Sequence, residues 1–271
     1  MKYLKRLLDF YLDASVHVSL AVFVLSIVTA IQLNIKPDYP LAFCLFFGCI
    51  FGYNFVKYAS MADHYIFLKE KYIRQIQYFS ALCFLGALYF VRFFRWETIY
   101  WTGVLMLLVV LYVVPLSARF ANLRNLKGIK IYVVALSWAI ATVILPVVNT
   151  QNPVTSAVWI EAFQRFLLVL ALIIPFEIRD MQYDNPDLKT LPQEIGVRGS
   201  KIMGTVILLL FIVPDLYGFF YSGSEKLFGS LPVALITLLL LWNTREGQSG
   251  YYTSVLVESV PIFWFLILTF F

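Results

Sequence analysis

The sequence predicts an all-α, polytopic membrane protein with nine transmembrane helices in a bundle. Of its 271 residues, 61% are hydrophobic and only 14% are charged, and the mean hydropathy is +0.80. A soluble domain of this length would not carry so much apolar surface. Apolar runs such as VLMLLVVLYVV are continuous rather than alternating, which favours helices over a membrane-spanning β-barrel.

Nine apolar stretches are long enough to cross about 30 Å of hydrocarbon at about 1.5 Å per residue. The two longest polar connections between them, at roughly 58–74 and 179–200, are too short for a soluble domain, so residues 1–271 are expected to form one transmembrane domain. The predicted spans lie near residues 14–34, 40–57, 75–92, 97–116, 130–149, 158–178, 201–222, 227–243 and 252–271.

Lysine and arginine residues are distributed unevenly between the two sides of this predicted bundle. Sixteen of the 21 lie at the N-terminus or in the connections on the same side, and five lie on the other side. Basic residues near span ends resist translocation, so we expect the N-terminus and both long connections to be cytoplasmic, with the protein in a bacterial inner (plasma) membrane. The asymmetry accounts for most of the net charge of +5, and no nucleic-acid partner is indicated.

An acidic stretch, PFEIRDMQYDNPDLKTLP at residues 175–192, follows the sixth predicted span. Glu177, Asp180, Asp184 and Asp187 recur at spacings of three, four and three, which puts them on one face if the helix continues. Carboxylates at a helix C-terminus oppose the helix dipole, so a simple solvated helix end is the weaker interpretation. Glu177, Asp180 and Asp184 are predicted to hold Mg²⁺ through one or two direct ligands, with water and substrate phosphates completing the shell.

Basic residues surround this stretch in the predicted cytoplasmic connections. Arginine binds phosphate through two parallel hydrogen bonds and lysine acts as a point charge, so a mixed set suits a diphosphate headgroup. The alternative is that membrane topology alone places lysine and arginine here. The residues concerned are Arg119, Arg124, Lys127 and Lys130 after the fourth span and Lys189 after the acidic stretch.

The acidic stretch resembles the second Asp-rich motif of the UbiA superfamily of intramembrane prenyltransferases. In EIRDMQYDNPDLKTLPQEIG, the acidic residues Glu177, Asp180 and Asp184 are followed by Lys189, the tripeptide TLP and Gly196. Members of the superfamily have nine spans and two such motifs, at the cytoplasmic ends of spans two and six. The resemblance implies a bundle around a lipid-accessible cavity that binds an isoprenoid diphosphate through Mg²⁺. It further implies transfer of the prenyl group to a lipophilic or aromatic acceptor, with Asp180 and Asp184 carrying the metal-assisted step.

The first motif of this superfamily is only partly present. Asn54 matches its asparagine, but Tyr58 and Ala62 stand where the resemblance implies two aspartates. Asp63 is one position off, and therefore rotated by about 100° on a helix. Lys57, one turn from Asn54, is predicted to supply an ammonium group in place of a second metal ion. We therefore expect Asn54 and Lys57 to bind the diphosphate.

Three further residues are singled out by their chemistry. Tyr112, near the end of the fourth span, is predicted to face the site, where an aromatic ring can stabilise an allylic cation. Glu258 lies inside the ninth predicted span, where a carboxylate is either a functional group or one that reaches back to the interface. His17 has no second histidine at ligand spacing, and we expect it to make an interior hydrogen bond.

The leading interpretation is prenyl transfer from an isoprenoid diphosphate. A relative that kept the scaffold but lost the chemistry, a non-catalytic isoprenoid or lipid-binding protein, is the first alternative, and the degenerate first motif favours it. A UbiA-type terpene cyclase, in which a double bond of the same chain captures the cation, is the second alternative.

Overall fold

A computed structural model describes residues 2–58, 70–113, 128–184 and 188–270, and every regular element in these ranges is helical. Two π-helical turns, Ile140–Ile144 and Tyr252–Val257, lie between α6 and α7 and before α11. The α-helices are α1 (Lys2–Asp13), α2 (Val16–Gln32), α3 (Tyr39–Tyr58), α4 (Lys71–Val91), α5 (Trp96–Val113), α6 (Lys130–Ala139), α7 (Leu145–Asn149), α8 (Ser156–Asp180), α9 (Leu191–Ser222), α10 (Lys226–Asn243) and α11 (Val260–Phe270).

Among the described helices, seven are long and apolar enough to cross a membrane, with Lys130–Asn149 and Tyr252–Phe270 each forming one continuous span. The bent pair α1 and α2 makes an eighth candidate. The remaining predicted span, the third, corresponds to α4, which falls short in hydropathy because its first turns carry Lys71, Arg74 and two glutamines. It nevertheless packs along the length of α3. The all-α membrane bundle is confirmed, and the count of nine is approximate.

The first span begins at a sharp bend. Ser15 adopts a left-handed backbone conformation with φ of 58°, and α1 lies at 57° to α2. The predicted start at residue 14 therefore falls at the bend, while α1 lies outside the span. Leu4 and Leu7 of α1 are exposed, as in a helix that rests on a membrane surface.

Helix α8 lies at the centre of the bundle. In its most apolar stretch 67% of the residues are buried, and in the neighbouring span Lys130–Asn149 78% are, against 6% in α5, which lies at the periphery. Leu168 and Ile174 of α8 and Phe211 of α9 are almost completely inaccessible and belong to the largest hydrophobic cluster. α8 packs against α6, α9 and α10, so residues at its ends face several other helices.

The four-carboxylate face predicted from spacing is not continuous. α8 ends at Asp180, and Asp184 lies in the following turn, where its amide donates to the Asp180 carbonyl over 2.9 Å. Asp187 falls outside the described residues. We call the end of the bundle that carries Lys130, Glu177, Asp180 and Asp184 the acidic end.

Candidate functional site

A single lysine joins two carboxylates at the acidic end. The ammonium of Lys130, the first residue of α6, lies 2.9 Å from Glu177 Oε1 and 3.2 Å from Asp184 Oδ2. The second oxygen of Glu177, Oε2, is buried and has no hydrogen-bond partner among the described residues. One positive charge thus faces two negative charges, which leaves this group a net anion with an unused acceptor.

Asp180 is held by its neighbour in sequence. The Arg179 guanidinium donates to both carboxylate oxygens of Asp180, over 2.6 Å and 2.7 Å. Arg179 also donates to Thr253 Oγ1, in the π-helical turn before α11. Asp180 is therefore fixed between α8 and the last span by a bidentate ion pair.

The carboxylates at the acidic end suit a hard cation. Within the described ranges, no three His, Cys, Asp or Glu side chains are grouped as a metal site, so the predicted set of Glu177, Asp180 and Asp184 remains a prediction. Glu177 and Asp184 do converge on one cation, the Lys130 ammonium, and in the described part of the chain the buried Glu177 Oε2 lacks a partner. Two carboxylates are sufficient for Mg²⁺ when phosphates and water supply the other ligands, so these residues fit the ion.

An apolar cavity of about 150 Å³ lies next to this acidic end. A cavity of that volume holds a group about the size of benzene. Five spans contribute to its wall, and Glu258 is its one charged lining residue. The lining residues are Val18, Tyr53, Val134, Trp138, Val169, Leu172, Ile173, Phe176, Val257, Glu258 and Pro261.

Helical stripes connect the cavity wall to the charged residues. On α6, Val134 and Trp138 line the cavity at intervals of four from Lys130. On α8, Ile173 and Phe176 lie four residues before Glu177 and Asp180, on the same faces. The charged groups therefore cap an apolar space roughly one helical turn below them.

Glu258 enters this cavity from the last span. Its amide donates to the Thr253 carbonyl five residues earlier over 3.1 Å, which closes the π-helical turn. An added residue in a helix rotates the following side chains by about 100°, and such turns are frequent at functional sites. Among the described residues, the Glu258 carboxylate has no hydrogen-bond or ion-pair partner, in contrast to every carboxylate at the acidic end.

Asn54, predicted to bind diphosphate, is buried and engaged by the protein. Its Oδ1 accepts from Ser15 Oγ over 2.8 Å, and its Nδ2 donates to the Ala14 carbonyl and to Ser80 Oγ over 3.0 Å and 2.8 Å. These bonds tie the bend between α1 and α2 to α3 and α4. Lys57 lies one turn further along α3, half-exposed, with its ammonium 3.2 Å from Asp13 Oδ1.

The other predicted residues lie at varying distances from this centre. Tyr112 is the second-to-last residue of α5 and interacts electrostatically with Tyr53 of the cavity wall. Lys189 has a left-handed backbone with φ of 45° and lies 3.7 Å from Glu194, just before α9. Arg119, Arg124, Lys127, Ala62 and Asp63 lie outside the described residues.

The predicted interior hydrogen bond of His17 is confirmed. Its Nδ1 lies 2.8 Å from the Tyr11 hydroxyl and its Nε2 lies 3.0 Å from Ser259 Oγ. The sequence does not predict the bridge from Lys130 to two acids, although the position of Lys130 at the start of a span marks it as a boundary residue. The charge of Glu258 within an apolar span was the only signal that it faces a cavity.

The fold has a counterpart among solved structures. A structure of digeranylgeranylglyceryl phosphate synthase, of the UbiA superfamily, matches 99% of this chain and 98% of its own, with a TM-score of 0.58 and 15% sequence identity. No family model matches the sequence. No curated protein matches it either. The chain is an integral membrane protein with the fold of a UbiA-type prenyltransferase, as the Asp-rich motif predicts.

Proposed function

We propose that this protein is an intramembrane prenyltransferase that binds an isoprenoid diphosphate with its headgroup at the acidic end and the first part of its chain in the apolar cavity. One observation carries the proposal. On α6 and α8, side chains four residues apart lead from the cavity wall to Lys130, Glu177 and Asp180 on the same helix faces. An amphiphile with an anionic head and an apolar tail matches this polarity. The shared fold with a prenyl-transferring synthase supports it.

Lys130 is the residue proposed to bind the diphosphate directly. Its side chain keeps 20% of its surface exposed while it is paired with Glu177 and Asp184. When bound, Mg²⁺ on Glu177 and Asp184 would neutralise charge on the leaving diphosphate. Lys130 would then bind a phosphate oxygen as a point charge, with Lys189 and the predicted Arg119, Arg124 and Lys127 as further cationic candidates.

The cavity accounts for only the reacting end of the chain. A volume of about 150 Å³ is far below the space that a long prenyl group needs, so the remainder must leave through the wall toward lipid. Tyr53 lies in that wall and is 36% exposed, so the surface beside α3 is the proposed exit. Trp138, which donates to the Tyr53 hydroxyl over 2.9 Å, and Phe176 present the aromatic surfaces nearest the proposed cation.

The test is the release of diphosphate by purified protein from geranyl, farnesyl and geranylgeranyl diphosphate, with and without Mg²⁺. We expect release that depends on Mg²⁺ and that falls at least tenfold in Asp184→Asn. Glu97→Gln is the matched control, because Glu97 is an exposed carboxylate at the other end of the bundle. Release from none of the three donors would overturn the proposal.

A non-catalytic isoprenoid binder is the second candidate. It is favoured by the first motif, since Tyr58 replaces a carboxylate and Asn54 has its amide committed to Ala14, Ser15 and Ser80. For such a protein, the three diphosphates would raise the melting temperature without being cleaved.

A further inference from the structure

Among the described residues, Glu258 has a carboxylate with no hydrogen-bond or ion-pair partner beside a cavity inside the bundle. It lines an otherwise apolar cavity, and it is about 9 Å along the helix from Tyr252, where the last span begins. The basic residues that act on it electrostatically, Arg179 and Lys57, are both engaged elsewhere. Arg179 is paired with Asp180 and Lys57 with Asp13.

A structural role does not account for this carboxylate. Buried acids that support a fold are hydrogen-bonded or paired, since an isolated charge in an apolar space costs several kcal/mol. Glu258 makes no such contact among the described residues, and an apolar side chain would fill the same position without that cost. An ionisable side chain in an energetically unfavourable position, next to a cavity of ligand size, indicates that it contacts a ligand that enters the cavity.

We propose that Glu258 is the residue that binds the prenyl acceptor, taking a hydrogen bond from its hydroxyl group and receiving its proton as the new bond forms. The proposal rests on the proposed function for the identity of the second substrate. Because the diphosphate occupies the acidic end and the first prenyl carbons occupy the cavity, the acceptor must approach the first carbon from the cavity side, along its wall. Glu258 lies on that side.

The proposed step balances without a further reagent. The bond between the first prenyl carbon and the diphosphate oxygen breaks, and its electron pair leaves with the diphosphate. A lone pair of the acceptor oxygen forms the new carbon–oxygen bond, and the hydroxyl proton passes to the Glu258 carboxylate. Glu258 later releases that proton to water, so the products are a prenyl ether, diphosphate and one proton.

The surroundings of Glu258 also define the acceptor class. The eleven lining residues together offer almost no polar surface, so the acceptor must be lipid-soluble near its reacting group. A carboxylate or phosphate at that group would lose its hydration in an apolar space whose lining residues include no cation. The acceptor is therefore an alcohol or phenol that is neutral at its reacting end.

The first test measures binding in lipid nanodiscs with two probes at matched mole fractions, dodecan-1-ol and its methyl ether. The protein is expected to prefer the alcohol at least tenfold, Glu258→Leu to lose that preference, and Glu258→Gln to keep most of it through its amide oxygen. Glu97→Gln is the control for a carboxylate elsewhere in the bundle. Equal binding of both probes by the unaltered protein, or a preference that survives in Glu258→Leu, overturns the proposal.

The second test measures transfer from geranylgeranyl diphosphate to dodecan-1-ol. General-base catalysis contributes about 10²- to 10⁴-fold, so Glu258→Gln should slow transfer at least 100-fold while its alcohol preference remains. Unslowed transfer in Glu258→Gln overturns the proton-accepting role. An alcohol preference that depends on Glu258, in a protein that cleaves no diphosphate, would support the ligand site and refute the prenyltransferase.

Discussion

Glu161 and Glu258 are two acids inside the bundle whose surroundings are opposite. Glu161 of α8 is buried, with Oε1 3.2 Å from Arg165 and Oε2 3.8 Å from Lys226. Glu258 faces a cavity and has no partner among the described residues. Both are carboxylates in membrane-spanning helices. Their different numbers of ion-pair partners therefore distinguish a group that stabilises the fold from a group that is available to a ligand.

The region around Glu161 is held together by one arginine, Arg165. Arg165 is completely buried, and its guanidinium donates to the Leu25 carbonyl, Thr142 Oγ1, Thr29 Oγ1 and Glu161 over 2.9–3.3 Å. Three helical segments, α2, α8 and the π-helical turn Ile140–Ile144, are joined at this point. Polar groups that bond across helices in this way hold a membrane bundle together where the hydrophobic effect does not.

Breaking the hydrogen-bond network around Arg165 should give the largest effect on stability. Arg165→Met removes the main partner of Glu161 and leaves a buried charge with only the distant Lys226 ammonium, so we expect a loss of about 3–5 kcal/mol. Unfolding in detergent measures this loss of stability. Arg92→Met is the control, because Arg92 is exposed and its Cζ lies 3.7 Å from the centre of the Tyr89 ring. An Arg165→Met protein as stable as Arg92→Met would mean that the network does not support the fold.

The acidic end should show its clearest response in ligand binding. Lys130 is 20% exposed and shared by two acids, whereas Lys57 is 45% exposed and paired with Asp13 alone. Without added Mg²⁺, we expect Lys130→Ala to weaken binding of geranylgeranyl thiolodiphosphate at least tenfold, or about 1.4 kcal/mol, and Lys57→Ala to weaken it less than threefold. A larger effect at Lys57 would favour the prediction that this lysine replaces a second metal ion.

Glu258 should give the smallest change in stability, and of opposite sign to Glu161. Glu258→Leu removes an unpaired carboxylate from apolar surroundings, so a gain of about 1 kcal/mol is expected, while Glu161→Leu should lose stability by stranding Arg165. The same unfolding assay compares the two variants. A destabilised Glu258→Leu protein would indicate a structural partner and argue against a ligand role.

The sequence predicts the spans well where apolar runs end at charges. The predicted 158–178 and 227–243 match α8 and α10 within about two residues. The predicted start at 201 is ten residues later than that of α9, because the Gln193 side chain accepts from the Thr190 amide over 2.9 Å and starts the helix before its apolar part. A positive φ at Gly196 kinks that early turn, which hydropathy does not detect.

Only those features of the site that lie within one helix could be predicted from the sequence. Spacing within one helix relates Glu177 to Asp180, and composition alone marks Glu258 as unusual. The ion pair of Lys130 with Glu177 depends on how α6 and α8 rotate about their axes, and one sequence does not fix those rotations. The cavity is likewise formed by five spans. The sequence therefore identifies Glu258 as an unusual residue but does not show that it lines a cavity.

The central claim is that the prenyl chain enters the cavity below the acidic end. Photo-crosslinking with a diazirine-bearing geranylgeranyl thiolodiphosphate, followed by mass spectrometry of the labelled peptides, tests it most directly. We expect labels on α6 and α8 at cavity residues such as Trp138, Leu172 and Phe176, and their loss on competition with unlabelled geranylgeranyl diphosphate. Labels confined to lipid-facing residues such as Met106 of α5, or unaffected by the competitor, would contradict it.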